Sequence, residues 1–470
     1  METEWKYMIK KVILIQILII LFFSVELLIF NWLDPEKILI EILKYELVII
    51  YIYTVISSKR YLKWTSLYLI FLFTLGLFIF SRIFLDIFGI YQFEWANKWR
   101  NFLFPLKTQI TLLSYLIISL VVIHLGALLS LFTPRRNKVE LKPYAKLEEV
   151  SLYLFFLSFP GILYKYILQF KFIINNGYTA VYDGSLNLLS YPYWTFGSGT
   201  LMEVSFCLFL ASKPSKKKFM LISVLFFILK IIDVLKGGRS KLFLPVLFIA
   251  WFYYQFYSSS DLKLKKLFVY STVGILLSQA ILIFRDSNNL AFENSGFFLS
   301  LFFAQQGISI LVLGYMINYK TTFVNTGWPY IIYPLTIFSA SEGQSYEYIN
   351  ETISLGHRLS YFLSPEGYLQ GEGIGSSFLG ELYDLGFIGF VLGSFFVGMF
   401  IIYFEHIIKY NRIWLLLSLY IMQTIVYMPR ASIFPISKDI ILLVVFYLVI
   451  HSVLKNKTND KVLNPCSNTK

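Results

Sequence analysis

Long apolar segments recur along the whole of this 470-residue chain, and they restrict its fold more than any other feature. Many of them are about 17 residues or longer, the length that an α-helix needs to cross the hydrocarbon core of a bilayer. Hydrophobic residues make up 57% of the sequence, a share too high for an ordinary water-soluble domain. Helices satisfy all their backbone polar groups within lipid. The sequence therefore predicts an all-α polytopic membrane protein.

The segments predict about twelve transmembrane helices, at residues 12–32, 38–55, 66–83, 108–131, 150–168, 196–211, 219–235, 242–257, 267–284, 385–404, 414–427 and 440–453. Two further segments, 297–317 and 330–340, are apolar enough to enter the bilayer, and the count becomes fourteen if both cross. One long loop separates the ninth helix from the tenth.

The distribution of Lys and Arg predicts the orientation. Every strongly basic connector falls on one side of the predicted membrane, and basic loops stay in the cytoplasm. Both termini are then cytoplasmic. Residues 1–284 hold spans one to nine, 285–384 form an external periplasmic loop, 385–454 hold the last three spans, and 455–470 are a cytoplasmic tail. The net charge of +13 reflects this topology and contact with anionic lipid headgroups, so we expect no nucleic-acid partner.

The sequence offers no metal or cofactor motif. Cys207 and Cys466, in a predicted span and in the tail, form neither a disulfide pair nor a metal site. A phosphate-binding Walker sequence, a zinc spacing and an HExxH sequence are all missing, as is an Asp-x-Asp pair in the first external loop. We therefore expect no metal and no cofactor, and chemistry that depends on arginines and a base.

Arginines on the external side oppose the topology signal and need a separate reason. Arg285 and Arg358 belong to the long external loop, while Arg239 and Arg430 reach the same face from short turns. A guanidinium group is always charged and binds phosphate oxygens in a fork, which suits a pyrophosphate at the membrane surface. Alternatively, each arginine extends to lipid headgroups or pairs with a nearby acid such as Asp286.

Histidine is rare, and one histidine is placed for chemistry. His357 belongs to the external loop, whereas His406 and His451 are cytoplasmic and His124 lies within the fourth span. A neutral imidazole can accept the proton of a sugar hydroxyl, and the adjacent Arg358 disfavours the imidazolium. The alternative for His357 is a surface position without a role. For His124 we expect a hydrogen-bonded residue of the core.

Residues 371–398 combine a glycine-rich polar loop with a helix suited to a bilayer. Gly373, Gly375 and Ser377 belong to the loop, and Glu381 follows at the depth where water meets lipid. We expect this carboxylate to be a second candidate base or a positioning residue, although the stretch could also be a plain loop before a well-packed helix. Glycines three and four apart predict one stripe for close helix packing, namely Gly386, Gly389 and Gly393.

Three segments carry a resemblance to a known family. The sequences KGGRSKLFL (236–244), AQQGISILVLGY (304–315) and GEGIGSSFLGELYDLGFIG (371–389) are similar to parts of bacterial O-antigen and capsule repeat-unit polymerases. So is the overall plan of about a dozen spans with one long external loop late in the chain. The similarity covers roughly residues 230–400, while the first 200 residues match only in hydropathy.

The resemblance implies a metal-independent glycosyltransferase of the bacterial cytoplasmic (inner) membrane. The growing glycan would pass from undecaprenyl pyrophosphate to a sugar hydroxyl of the next lipid-linked repeat unit. Arg239, Arg285 and Arg430 would hold the pyrophosphate, and His357 or Glu381 would deprotonate the hydroxyl. The implied partners are lipid-linked oligosaccharides, the bilayer and a protein that regulates chain length. A ligase for the same carrier uses similar parts, and a lipid-linked oligosaccharide flippase has a similar length.

The topology can be tested by labelling. Cysteines introduced at Asn325 and Asn350, both in the external loop, should react with a membrane-impermeant maleimide in intact cells whose outer membrane has been permeabilised. Protection of both positions until the cells are lysed would reverse the predicted orientation.

Overall fold

The structure is a computed structural model that describes residues 37–93, 104–133, 139–176, 189–234, 240–263, 298–324, 329–332, 344–433 and 438–463, with a few single positions besides. Throughout these described ranges the regular secondary structure is helical, without a strand. The all-α class predicted from the sequence is thereby confirmed.

Among the described residues, six helices are long and apolar enough to cross a bilayer, namely Leu67–Ile87, Leu106–Phe132, Ala145–Asn175, Tyr193–Ala211, Leu299–Asn318 and Gly386–Ile407. Two apolar helices are shorter, Phe243–Phe256 and Ile440–Val453. A multi-pass membrane protein is therefore confirmed, whereas the count of about twelve spans stays a prediction. The predicted segments 12–32 and 267–284 fall mostly outside the described residues. The ambiguous segment 297–317 corresponds to one of the six long helices.

The remaining helices are shorter or more polar. They are Lys37–Lys59, Lys216–Val234, Lys320–Phe323, Tyr346–Glu351, Leu355–Leu363, Pro365–Leu369, Phe378–Tyr383, Arg412–Leu416 and Ser418–Tyr427. The two shorter apolar helices are parts of Ser240–Phe256 and Lys438–Leu463. A 3-10 turn, Gly307–Ser309, joins Phe298–Gln306 to Ile310–Asn318.

The chain folds as two compact units. The first comprises Met1–Arg136, Ser258–Glu405 and Thr424–Pro435, and the second comprises Asn137–Tyr257, His406–Gln423 and Ile436–Lys470. Every described candidate residue of the functional site belongs to the first unit.

Two helices of the first unit meet backbone to backbone at glycines. A Cβ atom on Gly398 would lie 1.9 Å from the carbonyl oxygen of Ile123, and one on Gly126 would lie 2.1 Å from that of Phe395. Small residues allow this approach between membrane helices, where packing rather than hydrophobic burial drives association. Helix Leu106–Phe132 therefore packs directly on Gly386–Ile407.

The predicted glycine stripe contributes to packing differently from our expectation. Gly386 has a positive φ of 74° at the start of the helix, with nothing within 4 Å of the position that a Cβ would occupy. Gly393 accommodates the side chain of Leu382, and Gly389 lies against Leu385 of its own chain segment. The close helix contact is at Gly398, since leucine side chains of the preceding segment occupy the space beside Gly389 and Gly393.

Polar groups inside the first unit have internal partners. His124 is 1% exposed, with Nδ1 3.1 Å from the hydroxyl of Tyr68 and Nε2 3.3 Å from that of Ser57. The predicted hydrogen-bonded core histidine is therefore confirmed. At the start of helix Leu67–Ile87, the N–H of Leu67 donates to the Glu405 carboxylate at 3.0 Å. The N–H groups in the first turn of a helix have no carbonyl partner within the helix, so they need such an acceptor.

The second unit holds half-buried polar side chains that are also paired. Lys230 Nζ lies 2.5 Å from Glu203 Oε1, and the hydroxyl of Tyr420 donates to the other oxygen of Glu203 at 3.0 Å. Arg412 donates to the carbonyl oxygen of Ala211 at 2.6 Å. Each charge is thus paired or hydrogen-bonded, as charges within a helical membrane protein need to be.

The glycine contact predicts the effect of added bulk. Gly398→Ala should destabilise the first unit by about 1–3 kcal/mol, because the methyl group forces two backbones apart. The midpoint of thermal unfolding in detergent checks this. Leu392→Ala, on an exposed face of the same helix, is the matched control and should change the midpoint much less. Equal midpoints for the two variants would contradict the close approach.

Candidate functional site

The glycine loop, residues 371–377, is held against two neighbouring segments of the first unit. Gly371 and Gly375 have positive φ angles of 89° and 82°, which side chains other than glycine rarely adopt. A Cβ on Gly373 would lie 3.1 Å from Ser360 Oγ, and the same hydroxyl accepts the N–H of Ile374 at 3.1 Å. The loop therefore follows the surface of helix Leu355–Leu363, which we call the histidine helix.

On its other side the glycine loop meets the arginine turn, residues 428–433. The position for a Cβ on Gly375 is 3.6 Å from the carbonyl oxygen of Arg430. A Cβ on Gly356 of the histidine helix would lie 3.0 Å from the carbonyl carbon of Gly375. The loop consequently lies between the histidine helix and the arginine turn.

Glu381 connects the glycine loop to the arginine turn through its carboxylate. It is 1% exposed, within the short helix Phe378–Tyr383. The Ser376 hydroxyl donates to Oε1 at 2.8 Å, and the Ile433 N–H donates to Oε2 at 2.9 Å. One oxygen therefore fixes the glycine loop and the other fixes the arginine turn.

Burial also changes the acidity of this group. Loss of water raises the pKa of the Glu381 carboxyl to about 7, while hydrogen bonds from Ser432, Ile433 and Ser376 act in the opposite direction. The carboxyl therefore titrates near neutral pH. Its buried position and full set of donors favour a positioning role over direct contact with a substrate.

Arg430 presents its charge among neutral groups. It ends the 3-10 turn Met428–Arg430, and its Nη1 donates to Gln306 Oε1 at 2.8 Å and lies 3.5 Å from the carbonyl oxygen of Gln305. Its guanidinium carbon is 5.8 Å from the ring centre of Phe78. No acidic side chain of the described residues forms an ion pair with it. The positive charge remains available for an anion.

His357 and Arg358 are neighbours in sequence but have separate partners. His357 Nδ1 lies 2.8 Å from the Tyr368 hydroxyl, and its ring meets Tyr348 edge-on at 4.7 Å between centres. Arg358 Nε instead donates to the carbonyl oxygen of Thr352 at 2.8 Å. Burial lowers the pKa of the His357 imidazole, so desolvation has the effect that we had expected from Arg358.

The structure thus brings the described candidates into one region. The histidine helix, the glycine loop, Glu381 and the arginine turn are in contact through the atoms described above. Ser377, which begins the short helix, is buried, and its hydroxyl has no hydrogen-bond partner within the described part of the chain. Arg239 and Arg285 lie outside the described residues, and their place in the site stays a prediction.

A buried arginine of the first unit escaped the sequence interpretation. Arg82, 4% exposed in helix Leu67–Ile87, donates from Nε to the carbonyl oxygen of Ala304 at 2.8 Å. Ser81 beside it donates to the carbonyl oxygen of Phe303 at 2.9 Å. Arg82 therefore supports the segment whose next residues contact Arg430. The signal was available, because an arginine inside an apolar span is costly and needs a reason.

Metal ligands form no group of three or more His, Cys, Asp or Glu side chains among the residues that the structure describes. That the reaction needs no metal stays a prediction.

The raised pKa of Glu381 predicts how stability depends on pH. Between pH 4.5 and about 7 the folded protein keeps a proton that the unfolded chain releases. The free energy of unfolding should therefore contain a contribution that is fully present at low pH and is lost as the pH rises through this window. Glu381→Gln removes the titrating group and should remove that contribution.

Thermal unfolding of the detergent-purified protein across this pH range measures the effect. Glu366→Gln, which replaces an exposed glutamate close in sequence, is the matched control. If Glu381→Gln shows the same loss of stability with rising pH as the wild type, the carboxyl does not titrate in this window.

Comparison with known proteins agrees with the geometry. Neither curated proteins nor solved structures include a match to this chain. A family described as O-antigen polysaccharide polymerase Wzy matches residues 13–459, nearly the whole chain. The match extends far beyond the segments that carried the resemblance and includes the glycine loop, the histidine helix and the arginine turn. The chain belongs to the O-antigen polysaccharide polymerase Wzy family.

Proposed function

We propose that this protein polymerises oligosaccharide repeat units that are linked to undecaprenyl pyrophosphate. The growing glycan leaves its carrier and is transferred to the next lipid-linked unit. The family supports a polymerase over the ligase and the flippase. The observation that carries the proposal is the glycine loop, which lies within one unit against both the histidine helix that carries His357 and the turn that carries Arg430.

Arg430 binds the pyrophosphate of the donor in this proposal. Its partners are amide oxygens, and among the described residues no carboxylate pairs with it. A guanidinium group can bind two phosphate oxygens at once, and it offsets the charge that develops as the pyrophosphate leaves. Arg239 and Arg285 join it, on the sequence argument alone. Arg82 supports the chain segment on which Arg430 rests.

His357 is the base. The oxygen of the acceptor hydroxyl forms a bond to the anomeric carbon of the donor sugar, and its proton passes to Nε2 of His357. The bond between that carbon and the pyrophosphate oxygen breaks, and its electron pair leaves with undecaprenyl pyrophosphate. His357 then releases the proton to water. The lowered pKa of its imidazole keeps the ring neutral and able to accept.

The other candidates position these groups. Glu381 fixes the glycine loop to the arginine turn, while Gly373 and Gly375 allow the loop to lie close to its neighbours. Arg358 fixes the start of the histidine helix by its bond to Thr352. Ser377 offers a buried hydroxyl beside them.

The reaction takes place on the outer face of the bacterial cytoplasmic membrane, with both chain termini in the cytoplasm. The charge asymmetry of the connectors supports this orientation. The lipid tails of donor and acceptor lie in the bilayer beside the protein. The reaction uses neither a metal nor a cofactor. A chain-length regulator is the protein partner that such a polymerase would have.

The role of Arg430 can be tested with purified protein and lipid-linked repeat units. Arg430→Ala should abolish polymer formation while membrane levels stay unchanged, and Arg430→Lys should restore little, because an ammonium group cannot form the bidentate fork. The same pattern is expected at Arg239 and Arg285. The matched control is Arg60→Ala, at an exposed position of a basic connector. Wild-type polymer yield from Arg430→Ala would remove Arg430 from the site.

A further inference from the structure

Tyr368 is the hydrogen-bond partner of His357 that the mechanism has not yet used. Its hydroxyl lies 2.8 Å from Nδ1 of the imidazole, a distance typical of a good hydrogen bond. Tyr368 belongs to the short helix Pro365–Leu369, in the first unit, and directly precedes the glycine loop. It therefore connects the proposed base to the segment that faces Arg430.

The position of Tyr368 is narrowly defined. The side chain is 0% exposed. Its helix is capped by Ser364, whose hydroxyl accepts the N–H of Gly367 at 3.2 Å, and the N–H of Gly371 donates to the carbonyl oxygen of Tyr368 at 3.0 Å. The rings of Tyr348 and Tyr368 meet the imidazole edge-on, at 75° and 85°. These contacts leave the imidazole few orientations.

Both partners of the hydrogen bond are neutral. Burial lowers the pKa of His357 and raises the pKa of Tyr368 to about 12. In a neutral imidazole one ring nitrogen carries the proton and the other has a free lone pair. The hydrogen bond made by one nitrogen decides which of the two carries the proton. A tyrosine hydroxyl can donate or accept. The direction of the Tyr368 bond therefore decides whether Nε2 can take a proton.

We infer that Tyr368 is a positioning residue for the polymerisation: its oxygen accepts the N–H of His357 Nδ1 and so keeps the lone pair on Nε2, where the acceptor hydroxyl is deprotonated. This inference rests on the proposed role of His357 as the base. It concerns a residue that contacts the base and not the substrate.

The fate of the transferred proton supports this direction. When Nε2 takes the proton, the imidazolium carries an N–H group on both ring nitrogens, and Nδ1 can only donate. An oxygen that already accepts from Nδ1 needs no rearrangement at that moment, and its lone pair stabilises the charge that develops on the ring. A hydroxyl that donated to Nδ1 would have to turn its proton away during the reaction.

Tyr368→Phe in the full-length protein tests the inference, because it removes only the hydroxyl. Turnover with purified lipid-linked repeat units should fall about tenfold, less than the roughly hundredfold or greater loss expected for His357→Ala. The acidic limb of the pH profile, expected below the ordinary imidazole value of 6.5, should move to still lower pH, since the imidazolium has lost its acceptor. A loss of packing alone would not move this limb to lower pH, because water that enters raises the pKa of a buried imidazole.

Tyr361→Phe is the matched control. Its ring meets that of Tyr368 at 5.8 Å, and it belongs to the histidine helix. We expect it to keep both the turnover and the pH limb of the wild type. Wild-type turnover and an unchanged limb in Tyr368→Phe would overturn the inference.

A second measurement does not depend on how well the variant folds. The chain has four histidines, so 15N-histidine labelling of the wild-type protein, with His357→Gln to assign the signal, can report which ring nitrogen of His357 carries the proton. A proton on Nδ1 is expected, and one on Nε2 would overturn the inference. If His357→Ala keeps full turnover, the proposed base itself is wrong. If His357→Ala loses turnover and Tyr368→Phe does not, His357 is still the base and the positioning role of Tyr368 is wrong.

Discussion

The candidate site depends on one buried carboxylate. Glu381 accepts a hydroxyl from the glycine loop on one oxygen and a backbone N–H from the arginine turn on the other. The two segments are far apart in sequence, and this side chain joins them. A buried carboxylate without partners would be very costly, and here the donors make its position tolerable. The same burial brings its pKa to about 7, so the protonation of Glu381 and the geometry of the site are linked.

The membrane explains why His124 and Arg82 of the first unit find their partners within the protein. Lipid offers no hydrogen bonds, so His124 is bonded to Tyr68 and Ser57, and Arg82 to the carbonyl oxygen of Ala304. The contact at Gly126 and Gly398 has the same origin, because membrane helices associate through close packing. The hydrogen bond of Arg82 holds the segment whose next residues, Gln305 and Gln306, contact Arg430.

The candidate residues of the site came from the sequence, whereas their surroundings came from the structure. The topology argument identified His357, Arg430 and Glu381 without any knowledge of contacts. It favoured His357 over Glu381 as the base from their ordinary pKa values, but it could not show how burial changes the pKa of each group. Tyr368 gave no signal, since a tyrosine in an aromatic-rich loop is ordinary until its hydroxyl is found beside Nδ1. Arg82 was overlooked because an orientation argument weighs connectors and not the interiors of spans.

The sequence by itself determined that the chain is an α-helical membrane protein, since apolar runs of that length have few other ways to satisfy their backbone groups. It also predicted a core role for His124 and a family whose match covers nearly the whole chain. Only the tertiary structure decided that Glu381 is enclosed, that the side chain of Arg430 hydrogen-bonds to Gln306, and that His357 shares a hydrogen bond with Tyr368. Residue type and order decide hydropathy, whereas the acidity and partners of a side chain depend on distant segments that meet it in the folded chain.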